Sequence, residues 1–226
     1  MSQVPVITID GPSGVGKGTL AQKMAQLTGF HLLDSGAIYR ALAYGVSKQG
    51  LTIDDKQAII QLAEQLPVKF EQGKVWYEGE DISQAIRNET IAGIASQVAA
   101  IPEVRQALLN RQSAFAQPPG LVADGRDMGT VVFPDAPVKL FLTASAEVRA
   151  KRRLEQLAQQ GEQGDFEAIV AEIKTRDERD QNRETAPLKP ADDAVVIDTS
   201  HLTIEEVVNR AVEIIQQKIP QALLTD

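Results

Sequence analysis

At 226 residues, 43% hydrophobic and 24% charged, the chain can bury one large core with insertions, which excludes wholesale disorder. Its 23 basic residues against 31 acidic ones, a net charge of −8, argue against binding to duplex nucleic acid. The lack of cysteine rules out disulfides, thiolate nucleophiles and Cys-ligated zinc, and two histidines, His31 and His201, make a poor metal set. No apolar run nears the roughly 18–20 residues of a membrane span. Met1-Ser2-Gln3 carries no basic leader, so a soluble, cytoplasmic protein is expected.

Val4 to Asp10 is a β-branched run suited to a buried strand. Gly11 to Thr19 follows as a glycine loop, and Leu20, Met24, Ala25 and Leu27 then recur with helical spacing up to Gly29. His31–Asp34 reads as a second strand, leading through Ser35-Gly36 into an apolar helix over about Ala37–Val46. Val68–Glu71 and Val75–Glu78, joined at Gln72-Gly73, predict a hairpin. Helices are expected over Ile91–Ala100 and, after Pro102, over Glu103–Ala116. Strands are expected at Leu121–Asp124, Val138–Thr143 and Ala194–Asp198. Between the last two lies a polar helical pair, Ala146–Gln160 and Asp165–Arg183, and a final helix spans Ile204–Lys218. This alternation predicts an α/β fold whose parallel sheet is covered by helices on both faces and interrupted by two insertions.

Gly11-x-x-x-x-Gly16-Lys17 between a strand and a helix is a phosphate loop. Glycines let successive backbone N–H groups approach phosphate oxygens, the following helix presents its positive end, and Lys17 adds a compact charge. Gly18 stands where the commonest form of the motif has a hydroxyl, which here comes one residue later, at Thr19. Lys17-Gly18-Thr19 resembles the version of the loop found in nucleotide kinases, which implies that water carries more of the metal shell.

A transferase needs a second anionic substrate. Leu33 to Arg40 puts a small turn after the second strand, with Arg40 able to point back toward the ligand edge of a parallel sheet. Asp124-Gly125-Arg126-Asp127 follows the third strand at that same edge. Asp124 suits magnesium, directly or through water; Arg126 suits a phosphate clamp; Asp127 suits an amino group or a ribose. Half of the 12 arginines, Arg149, Arg152, Arg153, Arg176, Arg179 and Arg183, fall within 35 residues. Arg176, Asp180 and Arg183 share one helix face, as do Arg149 and Arg153. A cationic lid over two phosphorylated substrates and a solvated helix pair laced with ion pairs both fit that pattern.

Four stretches, Ile9–Thr19, Leu33–Arg40, Ala123–Ala136 and Arg176-Asp177-Glu178-Arg179-Asp180-x-x-Arg183, resemble the bacterial cytidylate kinases of the nucleoside monophosphate kinase superfamily. With their connecting spacing they cover nearly the whole chain. The resemblance implies transfer of the γ-phosphoryl group of ATP, with Mg2+, to CMP or dCMP. It also implies one P-loop kinase domain over 1–226 with a five-stranded parallel sheet, a monophosphate-binding insertion over about 35–117 and a helical lid over about 146–185. On this pattern Lys17, Arg126 and Arg183 are catalytic. Gly11, Pro12, Ser13, Gly14, Val15, Gly16, Lys17, Gly18 and Thr19 bind ATP together with Arg149 and Arg153. Ser35, Arg40, Arg126 and Arg183 belong to the monophosphate site, Ser96, Arg105 and Asp127 read cytosine, and Arg176 and Asp180 lie near the ribose. Helical pattern alone would leave Ser96 and Arg105 on the surface. A shikimate- or gluconate-type kinase would need fewer acceptor-side arginines, and a GTP switch would carry an Asn-Lys-x-Asp motif that this chain lacks. A monomer is expected, because the cleft must open and close on each turnover.

Overall fold

Val6–Asp10 forms the central strand β1, buried along its whole length, as an unbroken β-branched run in a parallel sheet should be. The computed structural model describes residues 4–71 and 73–223, so Met1-Ser2-Gln3 and the Gln72 of the expected turn lie outside the described residues. After the glycine loop, α1 spans Lys17–Thr28 and closes on left-handed Gly29. It is followed by β2 (His31–Asp34) and α2 (Ser35–Lys48), which Asp34 caps by accepting from the Ala37 amide at 2.9 Å. α3 (Lys56–Glu64) was not expected from the sequence, although Ile59, Leu62 and Ala63 bury one face at helical spacing. The hairpin is β3 (Val68–Glu71) and β4 (Lys74–Tyr77), to which the two-residue β5 (Glu80–Asp81) adds.

α4 (Glu89–Val98) is capped by Asn88, and α5 (Pro102–Ser113) opens on proline, whose missing N–H costs nothing there. β6 (Leu121–Gly125) leads into one wide turn of π-helix at Met128–Val132. β7 (Val138–Thr143), α6 (Ala146–Gln159), α7 (Phe166–Gln181), β8 (Val195–Asp198) and α8 (Ile204–Lys218) complete the chain. Ser145 and Asp165 cap α6 and α7, and Thr203 with Glu206 forms a reciprocal capping box on α8.

Five strands make a parallel sheet in the order β2-β6-β1-β7-β8, and β3-β4-β5 make a small antiparallel one. Ile7, Ile9, Val138, Leu140 and Leu142 point to one face, where Leu20 and Met24 of α1 and Val207, Ala211 and Ile215 of α8 complete the main core. The opposite face of the same strands carries Thr8, Asp10 and Lys139, all buried. Residues 4–33 with 115–223 form one compact unit around the large sheet. Residues 34–114 form a second, with α2 packed on α4, α3 on α5, and the small sheet alongside.

Candidate active site

The first unit holds the phosphate loop, Arg126 and the arginines from Arg149 to Arg183. Gly11 has φ +147°, and a Cβ there would fall 2.2 Å from the Leu142 carbonyl oxygen, so only glycine lets the loop run against β7. α1 then begins at Lys17 without a side-chain cap, leaving amides that suit a phosphate oxygen. Lys17 is 8% exposed, and its Nζ donates to the Pro12 carbonyl at 2.8 Å, bracing the loop from inside. Burial pulls its pKa from 10.5 down to about 8; Arg126 and Arg176 push the same way, whereas Asp124 and Asp10 oppose it. This buried ammonium is under-compensated until an anion reaches it.

Asp124, the residue before the last of β6, lies beside the loop. Its Oδ2 lies 3.6 Å from the Cβ position of Gly18, the residue that replaces the usual hydroxyl. Among the described residues no group of three or more carboxylate, histidine or cysteine side chains could hold a metal by itself. One carboxylate next to a phosphate loop fits a magnesium that arrives with its nucleotide and keeps much of its water shell.

Arg126 donates from Nε to Asp180 Oδ2 at 2.5 Å, and Arg183 pairs with the other Asp180 oxygen. Asp180 is 1% exposed. Burial would raise its pKa, but Arg126, Arg183 and Arg176 outweigh that and hold the carboxyl below its usual range. Asp180, assigned to the ribose by resemblance, is thus engaged with two arginines, aligning the loop after β6 with the end of α7. Asp127 is buried, and its carbonyl accepts from the Val131 and Val132 amides.

Arg149, near the start of α6, is also buried. It donates to the Ser13 carbonyl of the loop at 3.1 Å, to Ala144 at 3.1 Å, and with both terminal nitrogens to Asp177 of α7. Arg153, one turn further along α6, is half-buried. The α6–α7 pair therefore mixes two behaviours. Lys174 and Glu147 form an exposed ion pair of the solvated kind, while buried Arg149 reaches the Ser13 carbonyl of the glycine loop and buried Asp180 pairs with Arg126.

In the second unit, Ser35 is buried and donates to Gln112 Oε1 at 2.6 Å. Arg40, in the second turn of α2, is half-buried and pairs with Asp34 at 3.0 Å. Arg105 donates to the Ala99 carbonyl at 3.1 Å and lies 5.6 Å over the Tyr39 ring. Ser96 and Arg105 are only 4% and 8% exposed, which corrects the surface placement that pattern alone suggested. α4 and α5 pack against α2 and α3 respectively, so helix faces that look polar in one dimension are covered. Asp10, Tyr39 and Asp177 lie within the stretches that carry the resemblance but take no site role from it, and Gln112 is not singled out by the sequence. Each gains its place only through a partner distant in sequence.

The family model for cytidylate kinase matches residues 7–217. The chain belongs to the cytidylate kinase family. The cytidylate kinase of Sodalis glossinidius is 59% identical over 211 residues, covering 92% of this chain and 93% of that one. That of a Marinomonas strain is 59% identical over 213 residues, covering 92% and 94%. That of Klebsiella pneumoniae is 52% identical over 225 residues, covering 98% and 99%. Cytidylate kinase membership accords with an α/β phosphate-loop enzyme, and among the described residues no helix is long and apolar enough to cross a membrane.

Proposed function

We propose that the protein transfers the γ-phosphoryl group of ATP to CMP or dCMP, yielding ADP and CDP or dCDP. The observation that carries the reading is the under-compensated Lys17 ammonium, held in a phosphate loop beside the Arg126–Asp180–Arg183 cluster. A phosphate oxygen of the acceptor attacks the γ-phosphorus as the bond to the β,γ-bridging oxygen breaks, and ADP leaves with that electron pair. The acceptor phosphate is already nucleophilic, so the protein's work is alignment and charge neutralisation. Lys17 and the loop amides of Gly11–Thr19 hold the donor phosphates. Arg126 and Arg183, pre-set by Asp180, face charge that builds on the transferring group. Asp124, with water, would hold magnesium, which when bound neutralises charge on the donor phosphates.

Arg149 braces the loop from α6 and, with Arg153, sits on the donor side. Ser35 and Arg40 receive the acceptor phosphate; Ser96, Arg105 and Asp127 read the cytosine; Arg176 lies at the ribose. Residues 35–117 act as the acceptor-binding insertion and 146–185 as the lid. The reading carries with it a monomer working on cytoplasmic nucleotides.

The test is ADP formation from ATP and magnesium with CMP, dCMP, UMP, AMP, GMP, shikimate or gluconate as acceptor. Fast turnover confined to cytosine nucleotides is expected. Turnover with UMP as well would leave the reaction class but remove the base-reading roles, and no turnover with any nucleotide would overturn the proposal. A single species of monomer mass in sedimentation checks the oligomeric state.

A further inference from the structure

The last residue of β1, directly before the phosphate loop, is an aspartate on the sheet face opposite the main apolar core. Asp10 is 5% exposed, and its two oxygens have separate partners. Oδ1 accepts from the Met128 amide and Oδ2 from the Gly129 amide, each at 2.8 Å. Both donors belong to the single π-helical turn that follows Asp124-Gly125-Arg126-Asp127. The backbone of Asp10 is already paired in register with Gly125. One residue thus grips the Arg126 loop at both ends: Gly125 through the sheet, and Met128 and Gly129 through its carboxylate.

The turn is fitted closely to β1. A Cβ at Gly129 would fall 2.9 Å from Thr8 Oγ1 and 3.2 Å from the Lys139 stem, so glycine is what lets this backbone come within reach of Asp10. A buried carboxylate near that of Asp127 is costly, and burial with that neighbouring charge raises its pKa to about 7. Two charge-assisted bonds to backbone amides oppose that rise. A buried carboxylate held by two backbone amides between the phosphate loop and the Arg126 loop points to geometry, since an apolar residue would fill the space more cheaply.

We propose that Asp10 is a positioning residue for phosphoryl transfer, fixing Arg126 and Asp127 relative to the phosphate loop so that the two phosphate-holding segments move as one. This rests on the reaction proposed above. Asp10 touches no reacting atom; it acts through the backbone of 125–129. A displacement of about 1 Å in a clamping group can cost on the order of a hundredfold in rate.

Asp10→Asn keeps the shape but leaves one oxygen for two amides, and turns an N–H donor toward the second. The Asn variant is expected to lose at least tenfold in kcat with CMP, with KM for ATP and for CMP each within about threefold of wild type. A smaller loss in kcat, whatever happens to KM or to the melting temperature, would overturn the proposal and leave Asp10 a packing residue. Wild-type enzyme inactive on CMP and dCMP would indict the reaction rather than Asp10. Amide hydrogen exchange on the nucleotide-free wild type separates these, and also serves if the variant fails to fold. Met128 and Gly129 are expected to exchange as slowly as the amides of β1, and rapid exchange at either would overturn the proposed grip.

Discussion

Replacing Lys17 with methionine should stabilise the nucleotide-free protein while destroying its activity. The buried ammonium has a pKa of about 8 against 10.5 when unperturbed, with burial the largest cause. At roughly 1.4 kcal/mol per pH unit, that gap means the charged form costs the empty site about 3 kcal/mol at neutral pH. Methionine is of similar length and carries no charge, but it abandons the bond to the Pro12 carbonyl, a loss of about 1 kcal/mol. The net gain is about 2 kcal/mol. With an unfolding entropy of about 2 cal/mol/K per residue, this raises the melting temperature by about 4 °C.

The pH dependence gives an independent check on the sign. Below pH 8 the lysine is protonated in both folded and unfolded chains, and the cost is fully present. Between about 8 and 10.5 the folded protein has released the proton that the unfolded chain still holds, so wild-type stability gains a component that rises with pH. The methionine variant lacks that component. Turnover should fall at least a hundredfold, since a cation facing the transferring phosphates is gone. Calorimetry without nucleotide, at pH 7 and 9.5, and coupled ADP assays supply both readouts. A variant that melts at or below wild type at pH 7, or a difference between the two proteins that stays flat with pH, would refute the reasoning.

Asp180→Ala should cost about 3–5 kcal/mol in urea unfolding, because Arg126 and Arg183 are left without their shared buried counter-ion. As the arginines hold the Asp180 carboxyl below its usual range, its contribution is present above about pH 4 and is lost as pH falls through its folded value; acid titration of wild type against this variant shows the difference. Arg183→Ala should remain folded, since Arg126 still pairs with Asp180, but lose at least a hundredfold in kcat; circular dichroism and steady-state kinetics check it, and an unfolded variant would favour a purely structural ion pair. Thr203→Ala removes half of the α8 capping box, far from the phosphate loop in sequence; it should lower stability by about 1 kcal/mol and leave kcat unchanged.

The strand–loop–helix of residues 6–28 was legible because it is local. A β-branched run, glycines and an amphipathic repeat each act within a few residues, and the phosphate loop is itself a piece of backbone geometry. The same holds for β7 and α8, which span the residues their patterns predicted. The hidden helix α3 has the right spacing at Ile59, Leu62 and Ala63, but is only nine residues long between polar flanks, too short for periodicity to stand out. The arginine-rich segment announced charge without announcing its use. Arg149 and Arg152 lie three residues apart; one is buried against Ser13 and Asp177, the other reaches Thr199. Ser96 and Arg105 sit on helices whose polarity along the chain says nothing about burial. By itself the sequence determined the phosphate loop, the parallel α/β order and the family. Only the tertiary structure decided which charges are buried and in whose company, as with Asp10 at the Met128 and Gly129 amides, or Asp180 between two arginines. The cost of a buried charge depends on neighbours that chain folding brings from more than a hundred residues away in the case of Asp10, and no local pattern encodes that distance.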